Sequence, residues 1–158
     1  MMNSSLESGQ AMPEFDLDAD ASSRISSSDL KGHKAVIYFY PKDDTPGCTK
    51  EAIAFTQLKQ AFEAADTMVV GISADTAHKH DKFIAKHDLG ITLGSDPELD
   101  TLKDFGVWVQ KAMYGRKYFG IERSTFLIDA DGKVAKVWRK VRVAGHAEEV
   151  LKAAEALD

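Results

Sequence analysis

Residues 35 to 40, Ala-Val-Ile-Tyr-Phe-Tyr, form an unbroken run of β-branched and aromatic side chains. A strand with one wet face alternates apolar with polar residues, so a run apolar at every position predicts a strand covered on both faces and central in its sheet. Such a strand requires a layer above and a layer below it. Phe55, Leu58, Phe62 and Ala65, spaced three and four apart, predict a helix over about 46–65. A second buried strand, Thr-Met-Val-Val-Gly-Ile-Ser, follows at 67–73. The next helix, 76–88, is capped by Asp75 or Thr76, carries Phe83, Ile84 and His87 on one side, and ends near Gly90. Residues 90–96 read as a weaker third strand and 98–106 as a short helix closed by Gly106. Asp131-Gly132 marks a hairpin between two more strands. A last amphipathic helix, 146–157, presents Val150, Leu151, Ala154 and Leu157, with Glu148 and Glu149 near its positive end.

Residues 15–20 and 23–32 read as a short amino-terminal hairpin. Residues 107–123 lack clear periodicity and are expected to form a long loop or irregular ribbon. The order of elements predicts an α/β fold: a mixed central β-sheet flanked by helices, with a short amino-terminal hairpin extension. Residues 1–158 fit a single domain, with 1–10 flexible. A net charge of −5 argues against nucleic acid and anionic membrane as partners, and no apolar run approaches the roughly 20 residues of a membrane span. Phosphate-binding glycine motifs are absent from the sequence. Cys48 is the chain's single cysteine, so no internal disulfide can form, and a reducing, cytoplasmic setting is expected.

The placement of that cysteine, in Tyr-Pro-Lys-Asp-Asp-Thr-Pro-Gly-Cys-Thr, carries the chemistry. Thr45 is a good N-cap, Pro46 suits the first helical position, and Cys48 falls in the first turn, where amide N–H groups lack helical partners. Helix N-termini favour the thiolate. Raising the thiolate from a few per cent to nearly all gains at most roughly thirtyfold for a drop of about two units, and intrinsic nucleophilicity falls with basicity by a slope of about 0.4 to 0.5. A fast thiol therefore needs donors aimed at its reaction partner in the transition state. Thr45, three residues before Cys48, lies on the same side of the turn. Arg123, opening the strand Arg-Ser-Thr-Phe-Leu-Ile-Asp, would supply a charged fork.

Pro41-x-x-x-Thr45-x-x-Cys48 after a buried strand, followed by Met-Tyr-Gly-Arg-Lys-Tyr-Phe-Gly-Ile-Glu-Arg-Ser-Thr-Phe-Leu-Ile-Asp, resembles the peroxiredoxins, in particular the bacterioferritin-comigratory-protein or peroxiredoxin Q branch. The similarity runs from about Pro13 to the last helix. The resemblance implies a thioredoxin-like fold and a thiol-dependent peroxidase that reduces hydrogen peroxide and organic hydroperoxides without cofactor or metal. By the same resemblance, Cys48 attacks peroxide and becomes a sulfenic acid, Thr45 and Arg123 orient the peroxide, and Pro41 shields the oxidised sulfur.

Many members of that branch carry a resolving cysteine five residues after the first, where this chain has Ile53. The expected mechanism is therefore one-cysteine, recycled by an external thiol such as thioredoxin, glutaredoxin or glutathione. A monomer is expected, with a weak dimer as the alternative. The alternative function is a peroxide sensor or redox relay using the same cysteine. His78 and His80 point apart on their helix, which speaks against a metal and predicts a mostly solvated face. No His is tied by spacing to Cys48, so a cysteine hydrolase has little support. Trp108 and Trp138 read as packing residues, with Trp108 a candidate to line the pocket.

Overall fold

The structure is a computed structural model that describes residues 6–19 and 23–158. The central run becomes β3 (Lys34–Phe39), which lies parallel to β4 (Thr67–Ser73) and antiparallel to β8 (Ser124–Ile128). Outward from β4 come β5 (Thr92–Ser95), β1 (Asp16–Asp18) and β2 (Arg24–Ser26), and outward from β8 comes β9 (Val134–Trp138). The seven strands run in the order β2-β1-β5-β4-β3-β8-β9. This mixed sheet is of the thioredoxin-like kind.

Successive side chains of a strand point to opposite faces, and β3 divides its run between two cores. Ala35, Ile37 and Phe39 join Val70, Ile72, Phe126 and Ile128 on one side, where α1 (Ser27–Leu30) and α5 (Asp100–Asp104) contribute Leu30 and Leu102. Val36, Tyr38 and Tyr40 face the other side, where α2 (Pro46–Gln57), α3 (Lys59–Ala64), α4 (Ala77–His87) and α6 (His146–Ala156) pack through Phe55, Phe62, Phe83 and Val150. Thr76 caps α4, its hydroxyl accepting from the Lys79 amide.

Gly71 of β4 stands beside Tyr38 of β3, and a Cβ at that position would lie 2.6–2.8 Å from the tyrosine ring and hydroxyl. The ring cannot retreat, because it is fully buried and stacked on Phe55 at 4.7 Å. Gly71→Ala is therefore expected to lower stability by about 1–3 kcal/mol. Urea unfolding of the two proteins checks this; equal midpoints would show that the ring has room.

Two expectations are corrected. The helix expected over 46–65 breaks at Leu58 (φ −97°, ψ 7°) into α2 and α3. Just before the break, the Thr56 hydroxyl donates to the Ala52 carbonyl at 2.8 Å, a back-bond that bends helices, and accepts from the Gly90 amide at 3.1 Å. Residues 107–123 are not a loop. They form a regular antiparallel ribbon, β6 (Trp108–Met113) with β7 (Arg116–Ile121), around the two-residue turn Tyr114-Gly115. Both turn residues have positive φ, 52° and 78°, as the tight hairpin turn requires. Alternation is invisible there because the ribbon projects from the core, with Met113, Tyr118 and Phe119 exposed. Of the amino-terminal stretch expected to be flexible, residues 1–5 lie outside the described residues. Gly9 and Met12 donate to the carbonyls of Val134 and Gly132, alongside β9.

Candidate active site

The segment from the end of β3 to the start of α2 emerges at one end of the sheet's central strands. Because β8 is antiparallel to β3 with Ser124 opposite Phe39, Arg123 arrives at that same end. A sequence separation of 75 residues thereby collapses to a contact. Arg123 Nη2 donates to Cys48 Sγ at 3.4 Å. Cys48 lies in the first turn of α2 and is 2% exposed. Gly47 permits this approach, since a Cβ there would stand 3.2 Å from Arg123 Nη2.

The other arm of the guanidinium, Nη1, donates to Glu51 Oε1 at 2.6 Å. Glu51 follows Cys48 by three residues, hence on the same helical face, and is buried. Burial pushes its carboxyl up to about 7, against the pull of Arg123 in the other direction. Burial opposes the charge of Arg123, but Glu51 and Cys48 outweigh it and hold the guanidinium above its ordinary value. Glu51 Oε2 and the Tyr38 hydroxyl are buried without a hydrogen-bond partner among the described residues. Burial, then the nearby Glu51 and Cys48, push that hydroxyl well above the ordinary tyrosine value.

Thr45 is the N-cap residue of α2 by backbone conformation, yet its side chain makes no cap hydrogen bond. Its hydroxyl instead donates to the Lys42 carbonyl at 2.8 Å, across the turn that precedes the helix. Pro41 opens that turn and is exposed. The turn is anchored at Asp43, whose amide donates to Asp75 Oδ2 at 2.8 Å and whose Oδ1 accepts from the Tyr40 hydroxyl at 2.6 Å. Asp44 adopts a left-handed conformation (φ 61°) and pairs with His87 and Lys86, which hold its carboxyl below the usual carboxylate range.

Of the four residues read from the sequence, the structure joins Cys48 and Arg123 directly. It sets Thr45 and Pro41 on the turn leading into Cys48. Sequence reasoning missed Glu51, although an acidic residue on the stripe containing Ala52 and Phe55 could have marked a buried partner. His80 is a correction. Far from lying on a solvated face, it is 0% exposed, with Nδ1 2.7 Å from Asp43 Oδ2 and Nε2 3.0 Å from the Gly94 carbonyl oxygen. Among the described residues no group of three or more His, Cys, Asp or Glu is placed to hold a metal ion, and no helix is long and apolar enough to cross a membrane. Trp108 packs against the core on the α5 side, and Trp138 donates to Glu149.

The AhpC/TSA family model matches residues 8–137. A putative peroxiredoxin bcp of Coxiella burnetii is 48% identical over 147 residues, covering 93% of this chain and 97% of its own. Peroxiredoxin Bcp of Bacillus subtilis is 45% identical over 146 residues, 92% of this chain and 93% of its own. Among solved structures, a cysteine-to-serine mutant of Xylella fastidiosa PrxQ superposes with a TM-score of 0.92 at 38% identity, covering 98% of both chains. The Xanthomonas campestris bacterioferritin comigratory protein, described for its alkyl peroxide reduction activity, gives 0.89 at 40% identity over 95% of this chain and 98% of that one.

Proposed function

This chain belongs to the AhpC/TSA family and is a peroxiredoxin of the Bcp/Q kind, a thiol-dependent peroxidase, and from that premise we propose that Cys48 is its peroxidatic nucleophile, acting by a one-cysteine mechanism. The observation that carries the reading is the single guanidinium bonded at once to Cys48 Sγ and to buried Glu51.

The thiolate attacks one oxygen of hydrogen peroxide or an organic hydroperoxide. A sulfur–oxygen bond forms as the oxygen–oxygen bond breaks, and the departing oxygen takes the electron pair and a proton to leave as water or alcohol. Sulfur is oxidised to the sulfenic acid. Negative charge moves from sulfur to the leaving oxygen, and Arg123, already within reach of sulfur, is the donor that can follow it. Glu51 aims the guanidinium. The Thr45 hydroxyl spends its proton on the Lys42 carbonyl, so toward a peroxide it offers lone pairs and accepts the peroxide's O–H. Pro41, exposed beside that hydroxyl's turn and lacking an N–H, shields the oxidised sulfur.

With no second cysteine in the chain, an outside thiol attacks the sulfenic sulfur, releasing water, and a second thiol frees Cys48 from the mixed disulfide. Ile53, partly buried against the α2-side core, occupies the place of the resolving residue. The reductant is thioredoxin, glutaredoxin or glutathione, and residues 1–158 act as a single-domain monomer in a reducing cytoplasm.

Stopped-flow tryptophan fluorescence of the reduced protein against hydrogen peroxide tests this, with Cys48→Ser as control. Wild type is expected to react orders of magnitude faster than free cysteine and to turn over repeatedly with thioredoxin and its reductase, while Cys48→Ser gives no signal. A rate equal to that of free cysteine would sink the assignment. A fast single turnover that no thiol donor renews would instead favour the sensor.

A further inference from the structure

Resting on the reading of Thr45 and Pro41 as peroxide-facing residues, we infer that His80 is a positioning residue for the peroxide reaction, its buried ring clamping the Pro41–Thr45 turn onto α4 through Asp43.

Both ring nitrogens of His80 face acceptors. The Gly94 carbonyl can only accept, so Nε2 carries a proton. Nδ1 shares another with Asp43 Oδ2 at 2.7 Å. The remaining oxygen of Asp43 accepts from Tyr40. Each polar atom of this buried pair therefore has a partner, as burial of hydrogen-bonding groups demands. Asp75 completes the clamp, accepting from the Asp43 amide and from the Ser73 hydroxyl at 2.7 Å.

These bonds draw on the end of β3, the β4–α4 loop, α4 and β5. Tyr40, Asp75 and His80 each bond Asp43 directly, and Asp43 lies two positions after Pro41 and two before Thr45. The turn itself contains a proline and a left-handed aspartate and has few bonds of its own, so its shape is imposed from outside. Misplacing reacting groups by about 1 Å can cost about a hundredfold in rate, and the one side-chain hydrogen bond of Thr45 among the described residues is the local one to the Lys42 carbonyl.

The test compares wild type with His80→Gln, which can keep the donor to Gly94 but loses the ring nitrogen that faces Asp43, and with Asp43→Asn. Each reduced protein is reacted with hydrogen peroxide and, separately, with iodoacetamide, and near-UV circular dichroism verifies native packing. The expected result is a roughly ten- to hundredfold fall in the peroxide rate constant with the alkylation rate within about twofold of wild type. The double variant should be no slower than the slower single one, the signature of coupled residues. Ring nitrogen resonances of His80 should report a proton on Nε2 in wild type, as the contact with the Gly94 carbonyl requires. A peroxide rate within twofold of wild type, an equal change in both reactions, faster alkylation, or an Nε2 without a proton would each overturn the inference. Should either variant fail to pack, Tyr40→Phe, which removes one bond to Asp43, carries the same comparison with an expected several-fold fall. If wild type reacts with peroxide no faster than free cysteine, the reading of the site itself fails; if wild type is fast and the variants match it, only the clamp does.

Discussion

Arg123→Ala is expected to slow the reaction of Cys48 with hydrogen peroxide by about two to three orders of magnitude. That is the usual cost of deleting one preorganised donor to a developing anion. If Arg123 were merely a surface charge, its loss would amount to under about 1 kcal/mol, or roughly fivefold. The distinction is sharp because the guanidinium is shared between Cys48 Sγ and Glu51. Arg123→Lys should recover little, since an ammonium is a point charge without the planar fork that spans both partners. A second consequence is pH-dependent. Removing Arg123 strands a buried carboxylate, a loss of about 3–5 kcal/mol when one partner of a buried pair is taken away. Glu51 escapes it by holding its proton, so the variant should unfold near wild-type conditions at pH 5 and far more easily at pH 8. Stopped-flow rates at pH 7 and urea unfolding at both pH values decide this. A peroxide rate within fivefold of wild type would remove Arg123 from the mechanism.

Glu51→Gln is expected to change how stability varies with pH. Burial holds the Glu51 carboxyl at about 7 in the folded protein, against an ordinary 4.5. Between those values the native protein keeps a proton that the unfolded chain has released, so stability falls as pH rises through the window. Above about 7 the full deficit stands. A separation of about two and a half units corresponds to roughly 3 kcal/mol. Glutamine cannot ionise, so the variant should gain on wild type steadily from pH 5 to pH 8 and be at least as stable at the upper end. Its peroxide rate should nonetheless fall about tenfold, because the amide anchors the guanidinium less firmly than a carboxylate. Unfolding free energies of both proteins at four pH values across the window provide the check; a stability difference that stays constant with pH would refute the titration of Glu51.

Much of this architecture is legible in the chain. The apolar run at 35–40 forces a two-sided core, and the alternation of Ala35, Ile37 and Phe39 against Val36, Tyr38 and Tyr40 delivers it. Thr76 and Asp131-Gly132 mark their helix start and hairpin because cap and turn chemistry are local. The ribbon at 108–121 escapes a reading built on burial, since much of it faces solvent and its turn is Tyr-Gly rather than Asn-Gly or Asp-Gly. The site divides the same way. Cys48 is legible from the turn that precedes it, whereas nothing local joins it to Arg123; the β3–β8 register does that. Glu51 and His80 are polar residues on helices, ordinarily solvated. Only the tertiary neighbours, Arg123 for one and Asp43 for the other, make burying them affordable.

The absent side-chain cap of α2 has a bearing on turnover. Pro46 contributes no amide, the Thr45 hydroxyl is engaged with Lys42, and the Thr49 amide to the Thr45 carbonyl is the backbone bond that closes the opening turn. What holds that turn from outside is Arg123, through Cys48 Sγ and Glu51 Oε1. Hydrogen peroxide is small enough to reach a nearly sealed sulfur, but a protein disulfide reductant is not. If a protein thiol recycles Cys48, as proposed above, the opening turn of α2 has to let go before that partner can reach the sulfur, so oxidant and reductant need different states of the helix.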